Sequence, residues 1–124
     1  MTSPAKLEKL VSSEPELVMR NILEAISGKP YEKELDIKII KDFVANMKYC
    51  GAKSGLDQEA TDKCILTQSL HTIASNELLP KEEVKKRIDG VGLEKLAKKV
   101  GKAIEKTEKQ IKDREKEELL NLFS

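Results

Sequence analysis

Apolar positions recur along this chain every three or four residues, the spacing of helices that each bury one side. The pattern is clearest over residues 93–123, which read as one long charged helix. There Leu93, Leu96, Ala97, Val100, Ala103, Ile104 and Ile111 fall within an arc of about 120° at 100° per residue. Lys95, Lys98, Lys99, Lys102, Lys106, Lys109, Lys112 and Lys116 crowd the other side, within about 140°. Glu94 and Lys98, Glu105 and Lys109, and Glu108 and Lys112 stand in the favourable acid-then-base order, each pair contributing about 0.2–0.5 kcal/mol. The seam weakens further on, where Thr107, Arg114 and Glu118 occupy positions an apolar side chain should take. Leu119, Leu120 and Phe123 are rotated off the stripe towards the lysine side. Either the helix stops or bends there, or these side chains meet something other than the body of the protein.

The preceding residues divide at strong local signals. Ser3-Pro4 resembles an N-cap followed by proline, opening a short helix to about Val11. Ser13-Glu14-Pro15-Glu16 has the form of a capping box and predicts a second helix through Leu17, Val18, Ile22, Leu23 and Ile26, closed by Gly28 and Pro30. A third helix is expected over 31–50. Its Leu35, Ile37, Ile39, Ile40, Phe43, Val44, Met47 and Cys50 cover about 200°, the mark of a central element. Residues 51–55 form a loop, and Asp57 is placed to cap a helix reaching about Asn76. Leu79-Pro80 breaks the chain before a short helix with Val84 and Ile88 inward, and Asp89-Gly90-Val91-Gly92 reads as a turn. Every connection is short, so neighbouring helices should be antiparallel or sharply angled. The expected fold is all-α, a compact single-domain bundle of five to six helices over residues 1–124. Short and medium helices make up 1–92, and 93–123 forms the long last helix.

Composition sharpens this picture in two respects. A chain of 124 residues with 39% hydrophobic content can bury a real core, and four aromatics leave Leu, Ile, Val, Ala and Met to build it. Lysine and glutamate are abundant while Gln and Asn are few, a balance that suits a thermophile. The net charge of +1 conceals a distribution: residues 1–80 carry −2, residues 81–112 carry +5 and residues 113–124 carry −2. A basic segment between two acidic ones is the electrostatic hint of a partner.

Met1 to Val11 has no continuous apolar region, and no run approaches a membrane-spanning length, so neither a signal peptide nor a membrane segment is expected. Two cysteines without an export signal predict a cytoplasmic protein with free thiols. If the helices bearing Cys50 and Cys64 form a level hairpin, their Cα atoms lie about 10 Å apart, too far for a disulfide.

Candidate chemistry is sparse. His71, the one histidine, shares a face with Cys64 two turns away, a separation no single metal ion spans, and reads as a partly buried side chain satisfied by a neighbour. Glu82-Glu83 and Glu117-Glu118 are adjacent pairs whose side chains diverge by about 100° and share no site. Gly90-Val91-Gly92 lacks the rest of a phosphate-binding pattern. The expectation is a non-catalytic protein without cofactor, metal or small-molecule substrate. Two surfaces remain. Leu119, Leu120, Leu122 and Phe123 suit docking to a protein partner or to a second copy. The alternative is an accessory nucleic-acid-binding protein that contacts phosphates through Lys95, Lys98, Lys99, Lys102, Lys106, Lys109 and Lys112. That face has no arginine before Arg114 and no aromatic for base stacking.

Overall fold

A computed structural model of the chain describes residues 4–52 and 57–124, with the side chains of residues 4 and 5 set aside. Among the described residues six helices follow one another: α1 (Pro4–Ser13), α2 (Pro15–Ser27), α3 (Ile37–Gly51), α4 (Gln58–Asn76), α5 (Lys81–Val91) and α6 (Leu93–Asn121). No strand occurs among the described residues. The fold is therefore the all-α bundle with a long last helix that the hydrophobic spacing predicts. The expected N-cap Ser3 and most of the expected 51–55 loop lie outside the described residues.

The core is aliphatic, as the scarcity of aromatics requires. Leu7 and Val11 of α1, Ile22 and Ile26 of α2, Phe43 and Met47 of α3, Ile65 of α4, and Leu96, Val100 and Ile104 of α6 are all buried. Helix α2 packs against α1, α3, α5 and α6, so it shares the centre with α3 and α4. Helix α4 lies between α3 and α6 and buries a partly polar face: Thr61, Asp62, Ser69 and Thr72 beside Ile65, Leu66 and Ile73. Four of its seven buried side chains are polar, so apolar spacing marks the arc of this helix but passes over Thr61, Asp62, Ser69 and Thr72.

Local boundaries follow the capping chemistry with three corrections. The expected capping box at Ser13 does not form. Ser13 ends α1, its hydroxyl donating to the Lys9 carbonyl at 2.9 Å, and α2 begins at Pro15 without a side-chain cap. The third helix starts at Ile37 rather than Tyr31. The Arg20 guanidinium donates to the carbonyls of Tyr31 and Lys33 at 2.8 and 3.0 Å, and Asp36 accepts from the Ile39 amide at 2.9 Å as a true N-cap. Leu35 is buried from an extended segment, so it matched a helical spacing without being helical. Ile37, counted in the apolar arc, stands 71% exposed in the first turn of α3. Lastly, residues 89–91 continue α5, and the break falls on Gly92 alone, whose φ of 90° and ψ of 145° suit glycine.

The cysteines require the largest correction. Cys50 and Cys64 form a disulfide with their Cα atoms 5.8 Å apart. The expected separation assumed that α3 and α4 start level at the hairpin. Instead the end of α3 meets α4 about two turns in, and the first turns of α4 run past it to pack on α6. The stagger removes the axial distance that argued against a bridge. Cys50 is fully buried, but both sulfurs are committed to the bridge, so the expected free thiols are absent.

Candidate functional site

Helix α6 changes character along its length. Up to Thr107 it is a core helix, with Leu96, Ala97, Val100, Ala103 and Ile104 buried against α2 and α4. Leu93, the first member of the expected stripe, is 57% exposed. Thr107 is no gap in the seam: it is completely buried, its hydroxyl donating to the Ala103 carbonyl at 2.8 Å. Asn21 of α2 donates one amide hydrogen to the Thr107 hydroxyl at 2.8 Å and the other to Gln110 at 2.9 Å. This polar lock fixes the register of α2 against α6 where apolar contact runs out.

Beyond half-buried Ile111, every residue from 112 to 124 is exposed. About 15 Å of helix, residues 112–121, therefore stands clear of the bundle. An ion pair between Arg114 and Glu14 steadies the base of this projection, and it raises the Arg114 pKa. Glu108 braces the turn before it, 3.7 Å from Lys6 and 3.3 Å from Lys112. Burial pushes the Glu108 carboxyl up, but the Lys112 hydrogen bond and the two lysine charges outweigh it and leave the pKa lowered. Of the three acid-then-base pairs expected on α6, this one, Glu108 with Lys112, closes.

The projection carries the apolar tip. Leu119 and Leu120 are each 61% exposed, Leu122 76% and Phe123 89%. The tip does not fold back over the bundle, so all four side chains expected to dock a partner are presented together at one end. The helix holds to Asn121, and Leu122 and Phe123 follow in a turn closed by their amides on the Leu119 and Leu120 carbonyls.

The second candidate face is also outward. Lys95, Lys98, Lys99, Lys102, Lys106, Lys109 and Lys112 are all exposed. Lys106 reaches Glu24 at 3.5 Å and Lys112 reaches Glu108; the other five join none of the ion pairs seen among the described residues. The two expected surfaces are thus neighbouring parts of one helix, the cations along its length and the apolar cluster at its tip.

Elsewhere, His71 is exposed rather than partly buried. Among the described residues no three His, Cys, Asp or Glu side chains are placed to share a metal ion. No helix of the described residues is long and apolar enough to cross a membrane. One feature escaped the spacing of apolar residues altogether, a groove between α4 and α5. Val84 and Ile88, expected to face inward, line it together with Leu70 and Ala74 of α4. The chain matches no known protein family, and no curated protein and no solved structure shows significant similarity to it.

Proposed function

We propose that this chain is a non-catalytic interaction subunit that docks onto a protein partner, or onto itself, through the projecting end of α6. The observation that carries this reading is the exposure of Leu119, Leu120, Leu122 and Phe123 at the end of a helix already clear of the core. Four large apolar side chains gathered at one tip lose free energy in water that burial in a groove recovers, at about 25 cal/mol per Å² of apolar surface. The charged stem holds them away from their own core and presents an amphipathic segment, as in helix-in-groove recognition. The disulfide removes the free thiols from which a cytoplasmic location was argued.

The test replaces Leu119, Leu120, Leu122 and Phe123 together by serine. The reading expects the circular-dichroism melt to be unchanged while sedimentation mass falls or a partner retained from the native extract is lost. Unfolding of the variant would make the tip part of the core and end the proposal. So would an unaltered mass together with an unaltered set of retained proteins.

A second reading is favoured by five lysines that join no ion pair among the described residues: Lys95, Lys98, Lys99, Lys102 and Lys109 would follow a nucleic-acid backbone through its phosphates. It expects affinity for a generic duplex or single strand that falls steeply between about 50 and 200 mM salt. Failure to bind either at the lower salt removes it.

A further inference from the structure

Helix α5 has no fully buried residue, unlike the other five helices. It is tied to its neighbours by reach rather than by a core face. Arg87 donates to the carbonyls of Ile26 and Ala25 at 2.9 and 3.3 Å, closing the end of α2, and Glu83 lies 3.3 Å from Lys29. On its other side α5 stands off from α4 and leaves a cavity of about 780 Å³. Leu70 and Ala74 of α4, Leu79 of the connecting turn, and Val84 and Ile88 of α5 wall it. All but exposed Ala74 are only half-buried, so this groove is apolar surface still open to water. Its volume lies in the range of about 300–1,000 Å³ usual for binding clefts.

The rim states the charge of what fits. Lys33, Lys81 and Lys85 border the opening against a single acid, Glu77, and none of the three lysines joins an ion pair seen among the described residues. An apolar floor with a cationic rim suits an acidic amphipathic segment. This chain carries one: Glu115, Glu117 and Glu118 directly precede Leu119, Leu120, Leu122 and Phe123, and residues 113–124 have a net charge of −2. The tip cannot enter its own groove. Ile88 lies five residues before Leu93, where α6 begins, whereas Leu119 is about 39 Å further along the axis of that helix.

We infer that the α4–α5 groove receives the C-terminal segment of a second copy of this chain, an inference that rests on the docking role proposed for the tip. The glutamates meet the lysine rim and the leucines and Phe123 enter the apolar floor. Tip and groove are different patches, so each copy offers one donor and one acceptor, and assembly takes the form of a reciprocal pair, a ring or an open chain of copies.

The experiment uses full-length variants in sedimentation velocity over a concentration series. The wild type is expected to self-associate. A tip variant, L120D/F123D, and a groove variant, V84D, are each expected to sediment as monomers. Mixed, they are expected to form a one-to-one complex, because one supplies an intact groove and the other an intact tip. The rim variant K81E/K85E changes only exposed side chains and guards against misfolding of V84D. It should weaken association about tenfold, and adding E117K/E118K to the same chain should restore most of that loss. A wild type that stays monomeric at every concentration overturns the inference and leaves the tip to a different protein. Assembly lost in the tip variant but kept in both groove and rim variants also overturns it, while the docking role of the tip survives. Assembly indifferent to the tip variant overturns both.

Discussion

The carboxylate of Asp62 in α4 occupies the space that a Cβ at Gly101 in α6 would need. Both residues are buried, and the missing side chain is what lets the two helices approach so closely there. Gly101 sits in the middle of a helix, where alanine would ordinarily stabilise by about 1 kcal/mol. The contact reverses that preference. Gly101→Ala is expected to destabilise the protein by about 1–3 kcal/mol through overpacking. Asp62→Ala in the same chain should recover most of the loss. Chemical denaturation of the two single variants and the double variant measures the coupling, and additive effects would separate the residues.

Asp62 also carries a pH dependence. Burial raises its pKa from the ordinary aspartate value; the Gln58 amide, donating at 2.7 Å, opposes the rise, and the nearby Glu105 charge adds to it. A raised folded-state pKa means that the protonated acid contributes stability in full below the unfolded pKa and loses it as pH rises through the folded value. Asp62→Asn keeps an oxygen to accept from Gln58 and removes the charge. The variant is expected to melt higher than wild type at neutral pH, with the gain shrinking in acid. Parallel melting curves of the two proteins from acid to neutral pH would refute this.

The Cys50–Cys64 bridge closes a loop with a sequence separation of 14. A loop of that size is worth about 3 kcal/mol on the chain-entropy account. Cys64→Ser, or reduction with the chain otherwise intact, is expected to lower the melting temperature by several degrees without changing the helix content at room temperature. Equal melting with and without reductant would show that the bridge does not form in solution.

Two buried hydroxyls should respond in opposite ways. Thr107 is bonded on both sides, to Asn21 and to Ala103, so Thr107→Val leaves the Asn21 amide short of a partner and should cost about 1–3 kcal/mol. Among the described residues the buried Ser69 hydroxyl has no hydrogen-bond partner. Ser69→Ala removes that unmet group and should be neutral or stabilising by up to about 1 kcal/mol. Denaturant midpoints of both variants test the contrast directly.

Much of the molecule is legible one residue at a time. Helix α6, the N-cap at Asp57, the αL stop at Gly28 and the break at Leu79-Pro80 each follow from spacing or capping among neighbouring residues, and all are where that chemistry predicts. The departure of Leu119, Leu120 and Phe123 from the stripe that faces the core was readable as well, but whether they bend back or stand exposed was decided only by the fold. What sequence could not supply lay between elements. Leu35 fits a helical repeat yet is buried from a loop, since carbonyls of that loop are taken by Arg20 from another helix. Thr107 looks like a defect until Asn21 faces it from α2.

From its amino acids alone this chain is a helical protein with one charged, outward-facing last helix, because periodicity records which side of a helix avoids water. Tertiary structure alone decided how far α4 slides past α3, and so whether Cys50 meets Cys64. It likewise decided that α5 stands away from α4 and leaves a groove. Those outcomes depend on the offsets and gaps at which whole helices pack, and a one-dimensional pattern of apolar positions carries no coordinate for either.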